Sequence, residues 1–241
     1  MSSRPLVAFP GPLVYVDDLG DPTLADEDAH HLQRVLRLRP GDLFAACDGM
    51  GAWQIREFGS KHVADAERFV EPKPEYEVGV GVPLVKGDRP EWMVQKLTEV
   101  GADRVTFITS ERTVVSWDPA RMSRNLDRFR RITRSAGAQS KRAWLPIVDG
   151  PVPFVTACGG PETVLADLEG GPLEPTARNV LIGPEGGWTE TERRRLPRSV
   201  CLGPQVLRAE TAALVAATLL VLTRSRLVTT PRFPPRNALG G

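Results

Sequence analysis

Leu181-Ile182-Gly183-Pro184-Glu185-Gly186-Gly187, then Leu202-Gly203-Pro204, then Val206-Leu207-Arg208-Ala209-Glu210-Thr211-Ala212 are the segments of this 241-residue chain that decide its reading. Two short apolar runs each end in a Gly-Pro turn, and Arg-x-Glu-Thr opens an Ala/Leu-rich helix. Glycine at a strand end removes the Cβ that would hold a flat ligand off the backbone. One arginine and one glutamate beside such a ligand supply charge. The pattern is that of a ligand pocket built from backbone loops, although Gly-Pro also makes ordinary strand-to-helix turns. Neither GxGxxG nor GxxxxGK[ST] occurs, which excludes the two common glycine-rich phosphate fingerprints.

Working outward, residues from 76 onward alternate strand and helix. Val78, Val80, Val82 and Leu84 alternate as one strand face. Trp92 to Val100 reads as a helix, with Pro90 near its start and Gly101 at its end. Val105 to Thr109, Thr163 to Asp167, Asn179 to Gly183 and Val200 to Gly203 read as strands. Thr189-Glu190-Thr191-Glu192 is a capping box opening a short helix, and Glu210 to Leu222 is the last helix. Pro119 to Ala136 is a long helix with Met122, Leu126, Phe129, Thr133 and Ala136 on one face and Arg121, Arg124, Arg128 and Arg131 on another. Such alternation predicts an α/β fold with a mostly parallel sheet.

The first 72 residues differ. Glu27 to Leu38 is a helical stretch with Leu32, Val35 and Leu36 at apolar spacing, stopped by Pro40-Gly41. Leu43 to Cys47, the Asp48-Gly49 turn and Trp53 to Phe58 form a hairpin pattern. A small β-barrel is expected there, with Glu71-Pro72-Lys73-Pro74 as the linker. The tail from Pro231 is Pro/Gly-rich and expected to be loose.

The net charge of +1 divides unevenly, −5 for residues 1–72 and +6 for the rest. Residues 121–142 alone hold eight basic residues against one acid, Asp127. Clusters of that kind attract nucleic-acid phosphates, although they also occur as solvated helix faces. Cys47, Cys158 and Cys201 are too scattered for a zinc site or a disulfide framework, and His30, His31 and His62 add no ligand set. No metal is expected. No apolar run reaches the ~18 residues of a membrane span, and no secretory h-region opens the chain. A cytoplasmic protein without membrane contact is expected.

The GPEGG, LGP and VLR-x-ETA motifs, in this order and spacing, resemble the bacterial 16S rRNA uridine-N3 methyltransferases of the RsmE type, members of the knotted SPOUT class. Further matches are the segment from His30-His31-Leu32-Gln33-Arg34 to Pro40-Gly41-Asp42, Lys86-Gly87-Asp88-Arg89 with Gln95-Lys96-Leu97-Thr98-Glu99-Val100-Gly101-Ala102, and Ala138-Gln139-Ser140-Lys141-Arg142. Together they run from about residue 30 to residue 220. The resemblance implies a PUA-like β-barrel, RNA-binding, over residues 1–72. It implies a SPOUT domain with a C-terminal trefoil knot over 73–230, which leaves 231–241 as the Pro/Gly-rich flexible tail. It also implies a homodimer formed through the SPOUT domain.

The implied cofactor is S-adenosyl-L-methionine, with Leu165, Gly183, Pro184, Glu185, Gly186, Gly187, Leu202, Gly203, Val206, Leu207, Thr211 and Ala212 as the residues holding it. The implied partner is the 16S rRNA of the small ribosomal subunit. Arg37, Lys86, Arg89, Lys96, Arg131, Arg134, Gln139 and Arg142 are the candidate RNA contacts. Methylation at N3 of uracil requires loss of the N3 proton, and charge then spreads to O2 and O4. A fixed guanidinium favours that anion, which makes Arg208 the catalytic candidate. Glu210 could orient it or take the proton; an ordinary Arg-Glu pair at a helix start is the plainer alternative. Ala138 stands where the family commonly has glutamate, and Ala209 where it often has threonine. Two other readings stay open: the same chemistry at another rRNA or tRNA position, and a non-catalytic RNA-binding protein.

Overall fold

A computed structural model of the chain describes residues 5–21, 23–60, 67–160 and 162–227. The tail expected to be loose, from Pro231, lies outside the described residues. The chain forms two units, one up to Pro74 plus Thr133–Leu145, the other comprising Glu75–Ile132 and the residues from Pro146. Placement of Thr133–Leu145 with the first unit is not foreseen by the local sequence pattern.

In the first unit, strands β1 (Leu13–Tyr15), β2 (Leu43–Cys47), β3 (Ala52–Glu57) and β4 (Arg68–Val70) form one sheet in the order β1-β2-β3-β4. The Asp48-Gly49 turn joins an antiparallel pair in which Cys47 faces Trp53, and β1 runs parallel to β2. Trp53 is fully buried and stacks on Phe69 at a centroid distance of 4.4 Å. Residues 133–145 close this core. The Tyr15 hydroxyl donates to the Arg142 carbonyl at 2.6 Å, and Gly51 N–H donates to the Ala143 carbonyl at 2.9 Å. Burial pushes the Tyr15 hydroxyl well above its usual range and the Cys47 thiol up to about 12.

The helix expected over Glu27 to Leu38 is shorter. α1 (Asp26–His30) gives way to a wider turn over His31–Val35, with Leu36 N–H bonded to His31 O at 3.0 Å. Arg37 then takes a left-handed φ of 60°, which ends the helical path. Only Leu32 of the apolar trio is buried, while Val35 and Leu36 face outward.

The second unit contains β5 (Gly79–Pro83), α2 (Arg89–Val100), β6 (Arg104–Thr109), α3 (Pro119–Ser140, its last turns in the first unit), β7 (Ile147–Pro153) and α4 (Phe154–Ala157). It continues with β8 (Thr163–Gly171), β9 (Asn179–Leu181), α5 (Glu190–Arg195), β10 (Ser199–Val200) and α6 (Ala209–Arg224). The sheet order is β10-β8-β9-β5-β6-β7, and every pairing is parallel. Both faces are covered, as parallel sheets require. On one, Val80, Val82, Val105 and Phe107 pack with Met93 and Leu97 of α2, Ala213, Ala216 and Ala217 of α6, and Phe129 of α3. On the other, Ile108, Leu165 and Leu181 pack with Phe154, Trp188 and Leu196. Gly101 ends α2 in the left-handed conformation with φ 103°.

Candidate functional site

Because all six strands run parallel, their carboxyl ends share one edge, where open α/β sheets place ligands. The loops after β9 and β10 meet there around a cavity of about 430 Å³. Gly183, Pro184, Glu185 and Gly187 line it from one loop. Leu202, Gly203, Val206 and Leu207 line it from the other, and Arg208 and Ala212 from the entry to α6. Sequence segments 20 residues apart are thus brought to one wall.

Two glycines have specific reasons. A Cβ at Gly183 would stand 3.1 Å from the Trp188 ring, and Gly187 holds a left-handed φ of 68° with open space beside it. Trp188 is buried beneath the loop, its indole N–H donating to Ala166 O at 3.0 Å. Arg112, from the loop after β6, donates to Gly186 O at 2.6 Å and so fixes the loop from outside. The expected capping box is present at Thr189 and Glu192. Buried Glu192 also accepts from Glu111 N–H at 3.0 Å, which anchors the loop that carries Arg112. Glu192→Ala removes acceptors from two backbone donors, so a loss of about 2 kcal/mol in urea unfolding is expected. An unchanged midpoint would mean that the anchor contributes nothing.

Arg208 is the N-cap of α6, with extended backbone and no side-chain capping bond. Its side chain is exposed and makes no ion pair or hydrogen bond among the described residues. Glu210, in the first turn, is mostly buried; its Oε2 makes no hydrogen bond and has Arg89 Nη1 at 3.6 Å. That separation is a charge contact, beyond hydrogen-bond length.

Three of the proposed cofactor residues are placed elsewhere. Leu165 is fully buried in the core beneath the sheet, and its neighbours Ala166, Asp167 and Leu168 line the cavity instead. Gly186 packs behind the loop against Arg112. Thr211 is exposed and outside the lining. Asp167 and Arg193, which the sequence reading missed, form an ion pair of 2.8 Å on the rim. The hydrogen bond that Arg193 donates to the Asp167 carboxylate pushes the guanidinium above its ordinary value. The signal for Asp167 was its position late in a parallel strand, where a polar side chain meets the ligand edge.

The basic candidates divide similarly. Lys86, Arg131, Gln139 and Arg37 are exposed. Arg89 pairs with Glu185 at 3.1 Å, Lys96 with Glu99 at 2.8 Å, and Arg134 with Asp17 at 3.3 Å and with Tyr15 O. Arg142 is half-buried, and its carbonyl accepts from the Tyr15 hydroxyl. Ala138 packs against that unit's core cluster, where a glutamate would meet apolar neighbours. Among the described residues, no cluster of three or more His, Cys, Asp or Glu is arranged to hold a metal ion, and no helix is long and apolar enough to cross a membrane.

A parallel α/β unit with a loop-built cavity at its strand ends corresponds to a known class. Residues 71–221 match the family model described as RNA methyltransferase domain, and residues 24–53 match the RNA methyltransferase PUA domain. The chain belongs to this RNA methyltransferase family. It is 34% identical over 221 residues to the ribosomal RNA small subunit methyltransferase E of Synechocystis, covering 80% of this chain and 70% of that protein. A probable rRNA-methyltransferase from Porphyromonas gingivalis superposes with TM-score 0.74 at 28% identity, over 90% of this chain and all of the other. The Neisseria gonorrhoeae ribosomal RNA small subunit methyltransferase E, solved bound to S-adenosyl methionine, gives 0.71 at 26% identity, over 87% of this chain and 96% of the other.

Proposed function

We propose that this chain transfers a methyl group from S-adenosyl-L-methionine to N3 of a uridine in the 16S rRNA of the small ribosomal subunit. The observation that carries this reading is Arg208, a guanidinium without a carboxylate partner among the described residues, on the wall of a glycine-loop cavity. The residues present fit the cofactor. The volume of about 430 Å³ lies in the range of small-molecule sites. Ile182, Leu202, Leu207 and Ala212 offer apolar surface, and Gly187 leaves room beside its backbone.

Bound there, S-adenosyl-L-methionine supplies an electrophilic methyl group. Arg208 donates hydrogen bonds to uracil O2 or O4 and favours the base without its N3 proton. Glu210, with one oxygen engaged in no hydrogen bond, accepts that proton or orients Arg208. Lys86, Arg131 and Arg37 contact phosphate, and Gln139 reads a base turned out of its stack. The chain acts in the cytoplasm as a homodimer through α6, whose Leu214, Val215 and Leu219 remain partly exposed. The C-terminal trefoil knot belongs to the same proposal.

Isothermal titration should show S-adenosyl-L-methionine binding by the purified chain; none at millimolar ligand removes the enzymatic reading. Mass-spectrometric mapping of 16S rRNA from a deletion strain should show one N3-methyluridine missing and restored by the wild-type gene. If N3-methyluridine persists there, the target is another rRNA or a tRNA.

A further inference from the structure

We infer that Arg89 is a positioning residue for this site: one guanidinium nitrogen ties the 183–187 loop to α2 through Glu185 and holds the Glu210 carboxylate in place. The inference rests on the proposed cofactor reading of the cavity. Arg89 opens α2, directly after the turn that follows β5. Its Nε donates to Lys86 O at 3.2 Å, which fixes the guanidinium to its own turn. Nη1 then stands 3.1 Å from Glu185 Oε1 and 3.6 Å from Glu210 Oε2.

The two carboxylates are unequal. Glu185 is 61% exposed and exchanges readily with water, whereas Glu210 is only 14% exposed. A mostly buried carboxylate oxygen without a hydrogen bond depends on whatever charge lies nearest. Among the described residues the only cation in ion-pair contact with Glu210 is Arg89. Arg89, expected as an RNA contact, is therefore engaged with Glu185 of the cavity loop and Glu210 of the first turn of α6. One cation serving the cavity loop and the first turn of α6 couples loop position to carboxylate position.

The test is a comparison of Arg89→Ala, Arg89→Lys, Glu185→Gln and the Arg89→Ala/Glu185→Gln double variant, as full chains. Each is titrated with S-adenosyl-L-methionine and assayed for methyl transfer to small ribosomal subunits. Arg89→Ala should weaken cofactor binding about fivefold, the upper range for a partly exposed pair, and lower kcat about tenfold. Glu185→Gln should weaken binding equally but lower kcat by less than Arg89→Ala does, because Glu210 keeps its cation. The double variant should bind no worse than Arg89→Ala, and Arg89→Lys should recover part of both losses. Normal cofactor binding by Arg89→Ala, or additive losses in the double variant, overturns the inference. So does a fall of about one in the salt slope of RNA binding, the mark of a lost phosphate contact. Absence of cofactor binding by the wild-type chain would instead overturn the reading on which it rests.

Discussion

Arg208→Ala should lower the single-turnover rate of methyl transfer by about 10²–10³, the loss that follows removal of one donor aimed at a developing anion. Cofactor affinity should change less than about twofold, because the apolar surface of Ile182, Leu202, Leu207 and Ala212 and the loop backbone stay in place. The variant is a clean test. Arg208 is exposed, bonds to no acid among the described residues, and caps α6 with backbone alone. Alanine there therefore costs little stability, within about 0.5 kcal/mol for a surface site. Single-turnover assays with labelled S-adenosyl-L-methionine and small subunits measure the rate, and calorimetry measures the affinity. A rate near that of the wild type would leave Arg208 as an ordinary helix-start arginine.

The second large effect lies beneath the loop. Trp188→Ala should destabilise the protein by about 4 kcal/mol, typical of an aromatic deleted from a close-packed core. Trp188 is 2% exposed and packs with Ile108, Leu165, Leu181 and Leu196, its ring 5.2 Å from that of Phe154. It also supports the cavity, since Gly183 lies directly against its ring and its N–H holds Ala166. Cofactor affinity should fall together with stability in urea titrations. Trp188→Phe should separate the two contributions by keeping most of the packing while leaving the Ala166 carbonyl unpaired, at about 1 kcal/mol. A loss below about 1 kcal/mol for the alanine variant would show that the loop does not rest on the indole.

The second unit was largely readable because its cues are local. Capping at Thr189 and Glu192, the helix stop at Gly101 and the alternation from Val78 act over a few residues, and each appears where expected. The local pattern does not predict β7, since Ile147–Pro153 contains Gly150, Pro151 and Pro153 and resembles a loop. It is tolerated because β7 is an edge strand paired only with β6. The clustering of Gly183 to Gly187, Leu202 to Leu207 and Arg208 around one cavity was also anticipated from motif order. The partners of charges were not. Arg89 meets acids 96 and 121 residues away, and Arg134 meets Asp17 across 117. No periodicity carries such distances, so a run of basic residues reads as one surface even where several are already neutralised.

α3 is one uninterrupted helix, yet Thr133–Leu145 complete the core of the unit that begins the chain. Without them Tyr15 lacks its acceptor at Arg142, and the Gly51 amide lacks Ala143. During translation the amino-terminal unit must therefore wait until residue 145 has left the ribosome. By then β5, α2 and β6 have already emerged. Synthesis order and folding order are interleaved, and a gene fragment cut at residue 74 would encode an unfinished fold.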